Sequence, residues 1–349
     1  MKTVLFPFVG DRVGGSHIAA RILMQNLSSI NYKFKVLILR DDRILSKYFL
    51  DNQIQTTSII KNNNGEKHFL LRDFFIFFKF IKKYVQDNNI DIVHTNDLRM
   101  HYFWSLISIF SKIKHIWHQH TPYWSRRNLV FSFFSKEVLT VSKWCKSSFV
   151  KNMSVRAKIV GNPFEINKFK ISQKKIRKQK NVLYIGKKVV EKRARFCVDI
   201  AKNVNMKDKN IVFNMLGDLP FKEKEKNELR GFNIFFHEKN YDIYSFLENT
   251  DLLLAPNVDE GFGRPVIEAM LSKVLVLAAN DGAYKELIIN NKTGFLARKD
   301  NLEDFTNKIL LIFSNYKFDD IKNRAYLGSR RKFNIDVYLK KILNVYKNL

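Results

Sequence analysis

The chain of 349 residues contains little cysteine, proline or glycine. Cys145 and Cys197 stand far apart and lack the spacing of metal ligands, which excludes a disulfide scaffold and fits a reducing compartment. The 6 Pro and 13 Gly against 46% hydrophobic residues exclude a low-complexity or disordered chain. At about 150 residues per domain, the length predicts two globular domains.

Long apolar runs are also lacking. The run 4–9 is too short for the apolar region of a signal peptide. The longest runs, 73–81 and 102–110, are broken by charge or too brief to cross a bilayer. The sequence therefore predicts a cytoplasmic protein.

Acidic residues are few beside the basic ones. The chain has 61 Lys and Arg against 33 Asp and Glu, a formal net charge of +28. This charge predicts a polyanion or an anionic surface among the partners, and nucleic acid, anionic lipid and nucleotide phosphate all qualify. The lysine usage of an AT-rich genome is the alternative explanation.

Strand and helix patterns alternate along the whole chain. A strand at 3–9, a glycine loop at 10–16 and a helical pattern at 17–30 open the first half. Further short strands are expected at 35–39, 91–94, 115–117, 138–141, 181–186, 210–217 and 250–256. This alternation predicts the α/β class, with one architecture used twice.

The domain boundaries follow from composition. The stretch 168–180 holds seven Lys or Arg and no acid, which is typical of an exposed linker or domain edge. Residues 337–349 carry apolar side chains on one helical face. We expect an N-terminal domain over 1–165, a C-terminal domain over 166–330, and a final helix within 331–349 that packs back on the first domain.

The segment 259–270, which directly follows a predicted strand, carries the most chemical information. Pro265 suits the first position of a helix, so Glu260 lies in the preceding loop and Glu268 near the first turn. Gly261 and Gly263 let backbone N–H groups approach a ligand, and a helix N-terminus favours an anion such as a diphosphate. The pattern therefore predicts a site for a sugar diphosphate.

This segment resembles the E-x7-E motif of family 4 glycosyltransferases of the GT-B fold, and the resemblance extends through 280–286 and 290–296. It implies two Rossmann-like domains whose parallel sheets face each other across a cleft, and sugar transfer with retention of configuration. By the same resemblance Glu260 lies by the transferred sugar and Glu268 hydrogen-bonds the nucleotide ribose. The implied donor site also includes Gly261, Phe262, Gly263, Arg264 and Pro265.

The stretch 186–192 is similar to the family's G-R-x-x-x-x-K segment, whose two cations hold the donor diphosphate. Lys192 matches the lysine directly. Lys187 replaces the usual arginine, and a lysine lacks the bidentate fork of the guanidinium. The alternative for both is a solvated basic loop. With the helix N-terminus these lysines would stabilise the departing phosphate without a metal ion, so no metal and no cofactor are expected.

Two elements of the first half also resemble the family. Gly15 and Ser16 belong to a glycine loop whose backbone N–H groups reach the donor phosphate, although a simple tight turn explains the glycines as well. His120 matches the family's histidine that faces the transferred sugar, and either His120 or His118 could instead be a core residue. No neighbouring acid or cysteine completes a metal site with this pair.

The acceptor is expected on the first domain, in the stretch 99–134. It contains Tyr102, Tyr123, Arg126, Arg127 and three of the four Trp, which suit sugar stacking and anionic lipid heads, while core packing is the competing explanation for the aromatics. The helix expected at 74–84, rich in Phe and Lys, could lie on a membrane surface. This mixture fits assembly of a bacterial surface polysaccharide, such as lipopolysaccharide or capsule, beside the inner face of the plasma membrane.

Further matches to the family are 141–142 and the interdomain link 160–169, and Ser272–Lys273 departs from its usual glycine and proline. The expected partners are a nucleotide-sugar donor, linked to uridine or guanosine, and a glycan or lipid-linked acceptor. The base contacts would come from the backbone at 236–241. Another GT-B enzyme, namely an epimerase or an inverting transferase, and an inactive relative are alternatives. A basic nucleic-acid-binding protein is disfavoured, because Glu260 and Glu268 would repel a phosphate backbone.

Overall fold

The computed structural model describes residues 1–10, 13–28, 32–41, 43–61, 71–96, 98–122, 124, 127–149, 151–169, 171, 179–187, 192–238, 243–314 and 318–349. They form two compact units. The first comprises Met1–Phe164 together with Ile335–Leu349, and the second is Glu165–Asn334. Most of the basic stretch expected as a linker, 170 and 172–178, lies outside these ranges.

The first unit is a parallel sheet with helices. Its strands are β1 Lys2–Phe8, β2 Tyr32–Asp41, β3 Thr56–Lys61, β4 Ile92–Thr95, β5 Lys114–Gln119, β6 Glu137–Thr140 and β7 Lys158–Ile159. They lie side by side in the order β3-β2-β1-β4-β5-β6-β7, and every pair is parallel. The helices are α1 Gly15–Leu27, α2 Ile44–Asp51, α3 Leu71–Asp87, α4 Leu98–Ile109, α5 Arg127–Phe133, α6 Lys143–Ser147 and α7 Lys151–Arg156.

The second unit repeats this architecture with six parallel strands. They are β8 Lys180–Ile185, β9 Ile211–Leu216, β10 Ile234–His237, β11 Leu252–Ala255, β12 Leu275–Ala279 and β13 Phe295–Ala297, in the order β10-β9-β8-β11-β12-β13. The helices are α8 Ala194–Lys207, α9 Glu223–Leu229, α10 Ile243–Glu248, α11 Arg264–Leu271, α12 Tyr284–Leu287, α13 Leu302–Ser314 and α14 Asp319–Lys332. The chain then returns to the first unit as α15 Ile335–Lys347. The boundary expected at 331 thus falls within α14.

Continuous apolar strands explain why both sheets are buried on two faces. In β1, Val4 and Phe6 pack on one side with Ile342 of α15, whereas Leu5 packs on the other with Trp104 of α4. Successive side chains of a strand point to opposite faces, so helices must cover both sides of such a strand. In the described ranges no helix combines the length and apolarity needed to span a bilayer.

The strands expected from sequence are confirmed to within two residues, except that β2 begins three residues earlier than expected, and β3, β7, β10, β12 and β13 were not expected. The helix expected at 17–30 is α1, and residues 29–30 lie outside the described ranges. Pro265 is the second helical residue of α11, not the first, because Gly263 caps the helix and Arg264 opens it. Glu268 accordingly begins the second turn.

The strand order places the loops that matter for function. In the second unit β8 lies between β9 and β11, so the connections that follow β8 and β11 leave the sheet on opposite sides. In open parallel sheets ligands bind at the carboxyl ends of strands at such a point. The loop beginning at Gly186 and the loop 256–263 both start there. In the first unit, β1 and β4 form the equivalent point, followed by Gly14 and Asn96.

Candidate active site

The loop between β11 and α11 turns tightly around Glu260. Asp259 and Gly263 both have left-handed backbones, with φ of 50° and 80°. A Cβ at Gly263 would lie 2.8 Å from Cε1 of Tyr284, so glycine is required there by both conformation and space. The turn brings the Gly263 N–H back toward the side chain of Glu260.

The Glu260 carboxylate has partners on both oxygens. Its Oε2 forms an ion pair with Nζ of Lys192 and accepts a hydrogen bond from Nδ2 of Asn257 at 3.3 Å. Its Oε1 accepts from the backbone N–H of Gly263 at 3.3 Å. The structure therefore brings together two of the residues expected from sequence, Glu260 and Lys192, which are 68 positions apart.

These contacts keep Glu260 ionised. Burial by itself raises the pKa of the carboxyl group. The charge of Lys192 and the hydrogen bonds from Lys192, Asn257 and Gly263 lower it by more than burial raises it, so the net pKa lies below its ordinary value. The site thus presents an anion and a cation side by side at the N-terminus of a helix. Such a helix end favours additional negative charge.

The segment after β12 supports the Glu260 loop from behind. Asp281 accepts a hydrogen bond from the Asp259 N–H at 2.7 Å, and the Ala283 N–H donates to the carbonyl of Glu260 at 2.9 Å. Gly282 has φ of 56°, and a Cβ there would lie 2.7 Å from the backbone nitrogen of Glu260. The resemblance at 280–286 therefore has a structural role, because this segment fixes the backbone of Glu260.

Asn257 and Tyr284 are site residues that the sequence did not single out. Nδ2 of Asn257 also donates to the hydroxyl of Tyr284 at 3.1 Å, and both side chains are buried. A polar residue soon after a fully buried parallel strand is a signal that could have indicated Asn257. Tyr284 offers no such signal, since its contact with Asn257 depends on the pairing of β11 with β12.

Lys192 is held through its backbone. The buried hydroxyl of Tyr184, on β8, donates to the Lys192 carbonyl at 2.6 Å. Gly186 lies against the same ring, because a Cβ there would be 2.2 Å from the Tyr184 hydroxyl. Lys187 is an exposed side chain directly after Gly186. The rest of the expected basic segment, 188–191, lies outside the described residues.

Glu268 lies on α11 next to Arg264. Oε1 of Glu268 is 3.5 Å from Nε of Arg264, and both side chains are largely buried. Burial raises the pKa of Glu268, and the opposing effect of Arg264 does not cancel this, so the net pKa lies above its ordinary value. Two carboxyl groups within one motif are thus shifted in opposite directions, Glu260 down and Glu268 up.

The glycine loop of the first unit starts α1. Gly14 caps the helix, its N–H donates to Nδ1 of His17 at 3.1 Å, and Gly15 and Ser16 form the first turn. No acidic residue stands in that turn, which leaves the positive end of the helix without a counter-charge from its own sequence. Residues 11–12 of the expected loop lie outside the described ranges.

His120 lies at the carboxyl end of β5 and is half-buried. Its Nε2 is 3.2 Å from Oδ1 of Asn96, the residue that follows β4. Its ring centroid is 4.2 Å from that of His118, which is buried in the sheet. His118 is therefore a core histidine, whereas His120 is partly accessible at the edge where ligands bind in this architecture.

A chain of buried rings continues behind His120. Nδ1 of His118 is 3.1 Å from Nε2 of His94, and Nδ1 of His94 is 2.8 Å from the hydroxyl of Tyr346 on α15. Burial, with the neighbouring histidines, lowers the pKa of His94 to about 3 and that of His118 well below its ordinary value. These imidazoles are neutral, so they act as hydrogen-bonding groups of the core.

The aromatic residues expected at an acceptor site divide between core and surface. Trp104 and Trp117 are fully buried, in agreement with the alternative that these aromatics pack in the core. Trp124 is exposed, and its ring lies edge-on to that of Trp144 with the centroids 5.6 Å apart. Tyr102 packs against Trp117. Tyr123 and 125–126 lie outside the described residues, as do 239–241 of the expected base-contacting stretch and the side chains of 74–77.

Both halves of the chain match known families. Residues 165–331 match the model of "Glycosyl transferases group 1", and residues 13–167 match that of "Glycosyltransferase Family 4". The two matches overlap at 165–167 and together extend from 13 to 331. The chain belongs to the family 4 glycosyltransferases.

Curated relatives match over part of their length. An uncharacterized glycosyltransferase of Methanocaldococcus jannaschii is 24% identical over 220 residues, which is 62% of this chain and 60% of the relative. The poly(ribitol-phosphate) alpha-N-acetylglucosaminyltransferase of Staphylococcus aureus is 30% identical over 201 residues, 54% of this chain and 40% of the relative. The chain spans about half the length of the curated relatives it matches.

Solved structures match over the full chain. A glycosyltransferase from Rickettsia africae superimposes with a TM-score of 0.84 at 19% identity, covering 99% of this chain and 98% of the other. The Anabaena protein Alr3699/HepE, in complex with UDP, superimposes with a TM-score of 0.84 at 18% identity over 100% of both chains. The fold, two parallel-sheet α/β units, is GT-B.

Proposed function

We propose that this protein is a retaining glycosyltransferase that moves a sugar from a nucleotide-sugar donor to a glycan or lipid-linked acceptor. One observation carries the proposal: the ionised Glu260 carboxylate, the Lys192 ammonium and the N-terminus of α11 meet at one place in the second unit. A sugar diphosphate needs this combination, because its leaving group is anionic and its anomeric carbon becomes cationic during transfer.

The residues divide the chemistry between them. Lys192 and the backbone N–H groups at the start of α11 bind the donor diphosphate and neutralise the charge that grows on it as the bond to the anomeric carbon breaks. Glu260 stabilises the positive charge of the sugar. Lys192 forms an ion pair with Glu260. In our proposal the Lys192 ammonium also contacts the donor phosphate, with exposed Lys187 as the second cation.

In our proposal the sugar transfer requires no metal ion. The acceptor oxygen forms a bond to the anomeric carbon on the face from which the diphosphate departs, and the acceptor proton passes to a phosphate oxygen of that leaving group. Glu268 binds the ribose of the nucleotide. Burial raises the pKa of Glu268, and in our proposal its carboxyl oxygens accept hydrogen bonds from the ribose hydroxyl groups.

The relatives suggest the class of substrate. Alr3699/HepE has been solved with UDP-glucose, and a mutant of the Staphylococcus aureus protein TarM has been solved with UDP, alpha-GlcNAc-glycerol and Fondaparinux. Curated relatives include a lipopolysaccharide core mannosyltransferase of Rhizobium leguminosarum and a capsular polysaccharide glycosyltransferase of Staphylococcus aureus. We propose a role in surface-polysaccharide assembly, beside the inner face of an anionic membrane, with uridine donors tested before guanosine donors.

Thermal unfolding in the presence of nucleotides tests the donor site. UDP, GDP and their sugar conjugates are compared with and without EDTA, using the unaltered protein, Glu268→Ala and the control Glu303→Ala. Glu303 is an exposed residue in the first turn of α13. We expect one nucleotide family to raise the melting temperature in EDTA, and Glu268→Ala alone to lose the shift. If neither nucleotide acts, or only a metal restores the effect, the proposed donor site is wrong.

The anomeric configuration of the product distinguishes transfer with retention from the two other GT-B reactions. Proton NMR of the sugar formed from an α-linked donor shows an α product for a retaining transferase and a β product for an inverting one. An epimerase changes the donor sugar itself with no acceptor present. Only the first result agrees with the proposal.

A further inference from the structure

The first unit contains a cavity of about 800 Å³ at the amino-terminal ends of its strands. The wall is apolar, formed by the carboxyl-terminal parts of α3 and α4 and by the loops that enter β4 and β5. Its principal apolar residues are Phe78, Val85, Ile107, Phe110 and Ile113. The volume lies in the range of small-molecule sites, which are concave and mostly apolar.

The cavity also carries positive charge. Lys2, Lys82, Lys112 and Lys114 line it, against a single acid, Asp91. Oδ2 of Asp91 accepts a hydrogen bond from the Thr3 N–H at 2.7 Å, so this carboxylate is already engaged in holding the start of β1. An apolar wall with an excess of lysines suits a ligand that has an apolar chain and an anionic head.

Ser111 gives a second, independent indication of a ligand. Its hydroxyl oxygen is buried and has no hydrogen-bond partner among the described residues, and Ser111 lines this cavity. Burying a hydroxyl group without a partner is unfavourable. An oxygen of a bound head group would satisfy it.

The surface beside the cavity has the same mixed character. Phe110 is 77% exposed, and a neighbouring depression of about 420 Å³ shares 111–114 and adds Phe133, 67% exposed, and Lys136. Large exposed aromatic side chains next to lysines are typical of surfaces that meet the head-group region of a bilayer. The cavity therefore opens onto a surface suited to the same ligand class.

This place is separate from the residues assigned to catalysis. Gly15, Ser16 and His120 follow the carboxyl ends of β1 and β5, whereas the cavity lies where β1, β4 and β5 begin. A parallel sheet keeps these two edges apart by the length of its strands. A ligand in the cavity would not occupy the carboxyl-terminal edge of the sheet.

We infer that this cavity binds an anionic phospholipid, with the phosphate at Lys82, Lys112 and the Ser111 hydroxyl, and an acyl chain against the apolar wall. The inference goes beyond sugar transfer and does not depend on it. Lipid bound here would anchor the first unit to an anionic membrane at the edge opposite its glycine loop.

Calorimetry with monomeric lipids tests the site. Lysophosphatidylglycerols with hexanoyl, octanoyl and decanoyl chains are titrated into the full chain, with glycerol phosphate and the corresponding lysophosphatidylcholines as comparisons. We expect affinity to rise about fourfold for each added methylene that enters the cavity. Glycerol phosphate, which offers the head group alone, should bind much more weakly. Equal affinity for glycerol phosphate and the decanoyl lipid would overturn the inference.

A pair of double variants separates the site from general charge attraction. Lys82→Gln with Lys112→Gln should weaken lipid binding about 25-fold, at about fivefold per lysine. Lys207→Gln with Lys209→Gln removes the same charge from exposed positions of the second unit and should leave it unchanged. Equal losses in both pairs would contradict a specific site. The melting shift caused by nucleotide should persist in the Lys82 and Lys112 pair, so failure of this inference and failure of the proposed transferase are distinguishable.

Discussion

The two units share one architecture but treat their buried titratable groups in opposite ways. In the second unit Glu260 is buried as an ion and is matched by Lys192 and by N–H donors. In the first unit the buried histidines of the sheet are neutral imidazoles that bond to one another and to hydroxyl groups, as His94 does to His118 and Tyr346. The comparison separates a charged arrangement that can respond to a ligand from a neutral one that consolidates a core.

A second histidine cluster in the first unit shows the same preference. The Thr95 hydroxyl donates to the Ile116 carbonyl at 3.0 Å, so its oxygen must accept from Nδ1 of His101 at 2.6 Å and from Nε2 of His115 at 2.9 Å. This assigns the tautomer of each ring. Ser135 then bonds to Nδ1 of His115 at 3.1 Å. Because Nε2 of His115 carries the proton, Nδ1 of a neutral His115 can only accept, and this acceptor role needs an uncharged imidazole.

Acidification should produce the largest difference between the units. Burial lowers the pKa values of His94 and His115 from 6.5 to about 3, and those of His101 and His118 well below 6.5. Below pH 6.5 the unfolded chain takes up protons that the folded unit does not. The free energy of unfolding therefore decreases as the pH drops below 6.5, by up to about 1.4 kcal/mol per pH unit for each ring.

The four Trp allow this to be measured. All of them lie in the first unit, so their fluorescence follows that unit, while far-ultraviolet circular dichroism follows both. The second unit has one histidine with a lowered pKa, His237, and the ion pair of Glu260 is lost only below the ordinary carboxyl pKa of 4.5. On acidification we expect the fluorescence transition of the first unit to occur at higher pH than the remaining change in circular dichroism. The same order is expected in the control His237→Asn, which removes the histidine of the second unit. Coincident transitions below pH 4 would contradict the comparison.

Removing the charge of Glu260 should have the next largest effect. If Glu260 stabilises the sugar as we propose, Glu260→Gln removes that anion and the ion-pair partner of Lys192, and the initial rate of transfer should fall about 10²- to 10³-fold. The fold should be retained, because the amide is nearly the same size. The matched control is Glu303→Gln in α13. A variant with more than half the original rate would show that Glu260 is not the central carboxylate.

Gly282→Ala tests whether the second unit needs its close backbone contact. The added Cβ would lie 2.7 Å from the Glu260 nitrogen in a left-handed backbone, which costs about 1–2 kcal/mol and displaces the loop. We expect a lower melting temperature and about a tenfold lower rate. The control, Gly328→Ala in α14, has no atom within 4 Å of its new Cβ and should raise the stability slightly. An unchanged rate in Gly282→Ala would argue against a rigid carboxylate.

The smallest expected effect, and the most direct comparison of the two units, comes from replacing one buried tyrosine in each unit. Tyr284→Phe removes a hydrogen bond from Asn257, which holds Glu260, whereas Tyr346→Phe removes one from His94. Each should lower the free energy of unfolding by about 1 kcal/mol. Only Tyr284→Phe should also lower the rate, by a few-fold. If Tyr346→Phe slowed transfer equally, the histidine chain would belong to the site.

The predictable part of the molecule was local in sequence. Strands such as β1 and β11 are continuous apolar runs, and the loop before α11 is marked by Gly261, Gly263 and Pro265. Four of the five strands that were missed, β3, β7, β10 and β13, are edge strands of the two sheets, and the fifth, β12, lies next to the edge strand β13. Edge strands have one neighbour and need less continuous apolar sequence, so their patterns are weaker.

Two contacts between buried side chains could not be predicted from the sequence. Asn257 and Tyr284 are 27 positions apart, and His94 and Tyr346 are 252 apart. Neither pair has a local spacing that implies contact. Their proximity depends on strand order and, for Tyr346, on the return of α15 to the first unit.

The sequence by itself determined the α/β class, the division into two similar halves and the residues of the carboxylate loop, because each depends on local periodicity or on a motif within one turn. Only the tertiary structure decided that Lys192 would pair with Glu260, that Gly282 would press against its backbone, and that His118 would be core while His120 stays half-exposed. The physical reason is that strand order, not spacing along the chain, decides which loops meet at the carboxyl edge of a parallel sheet.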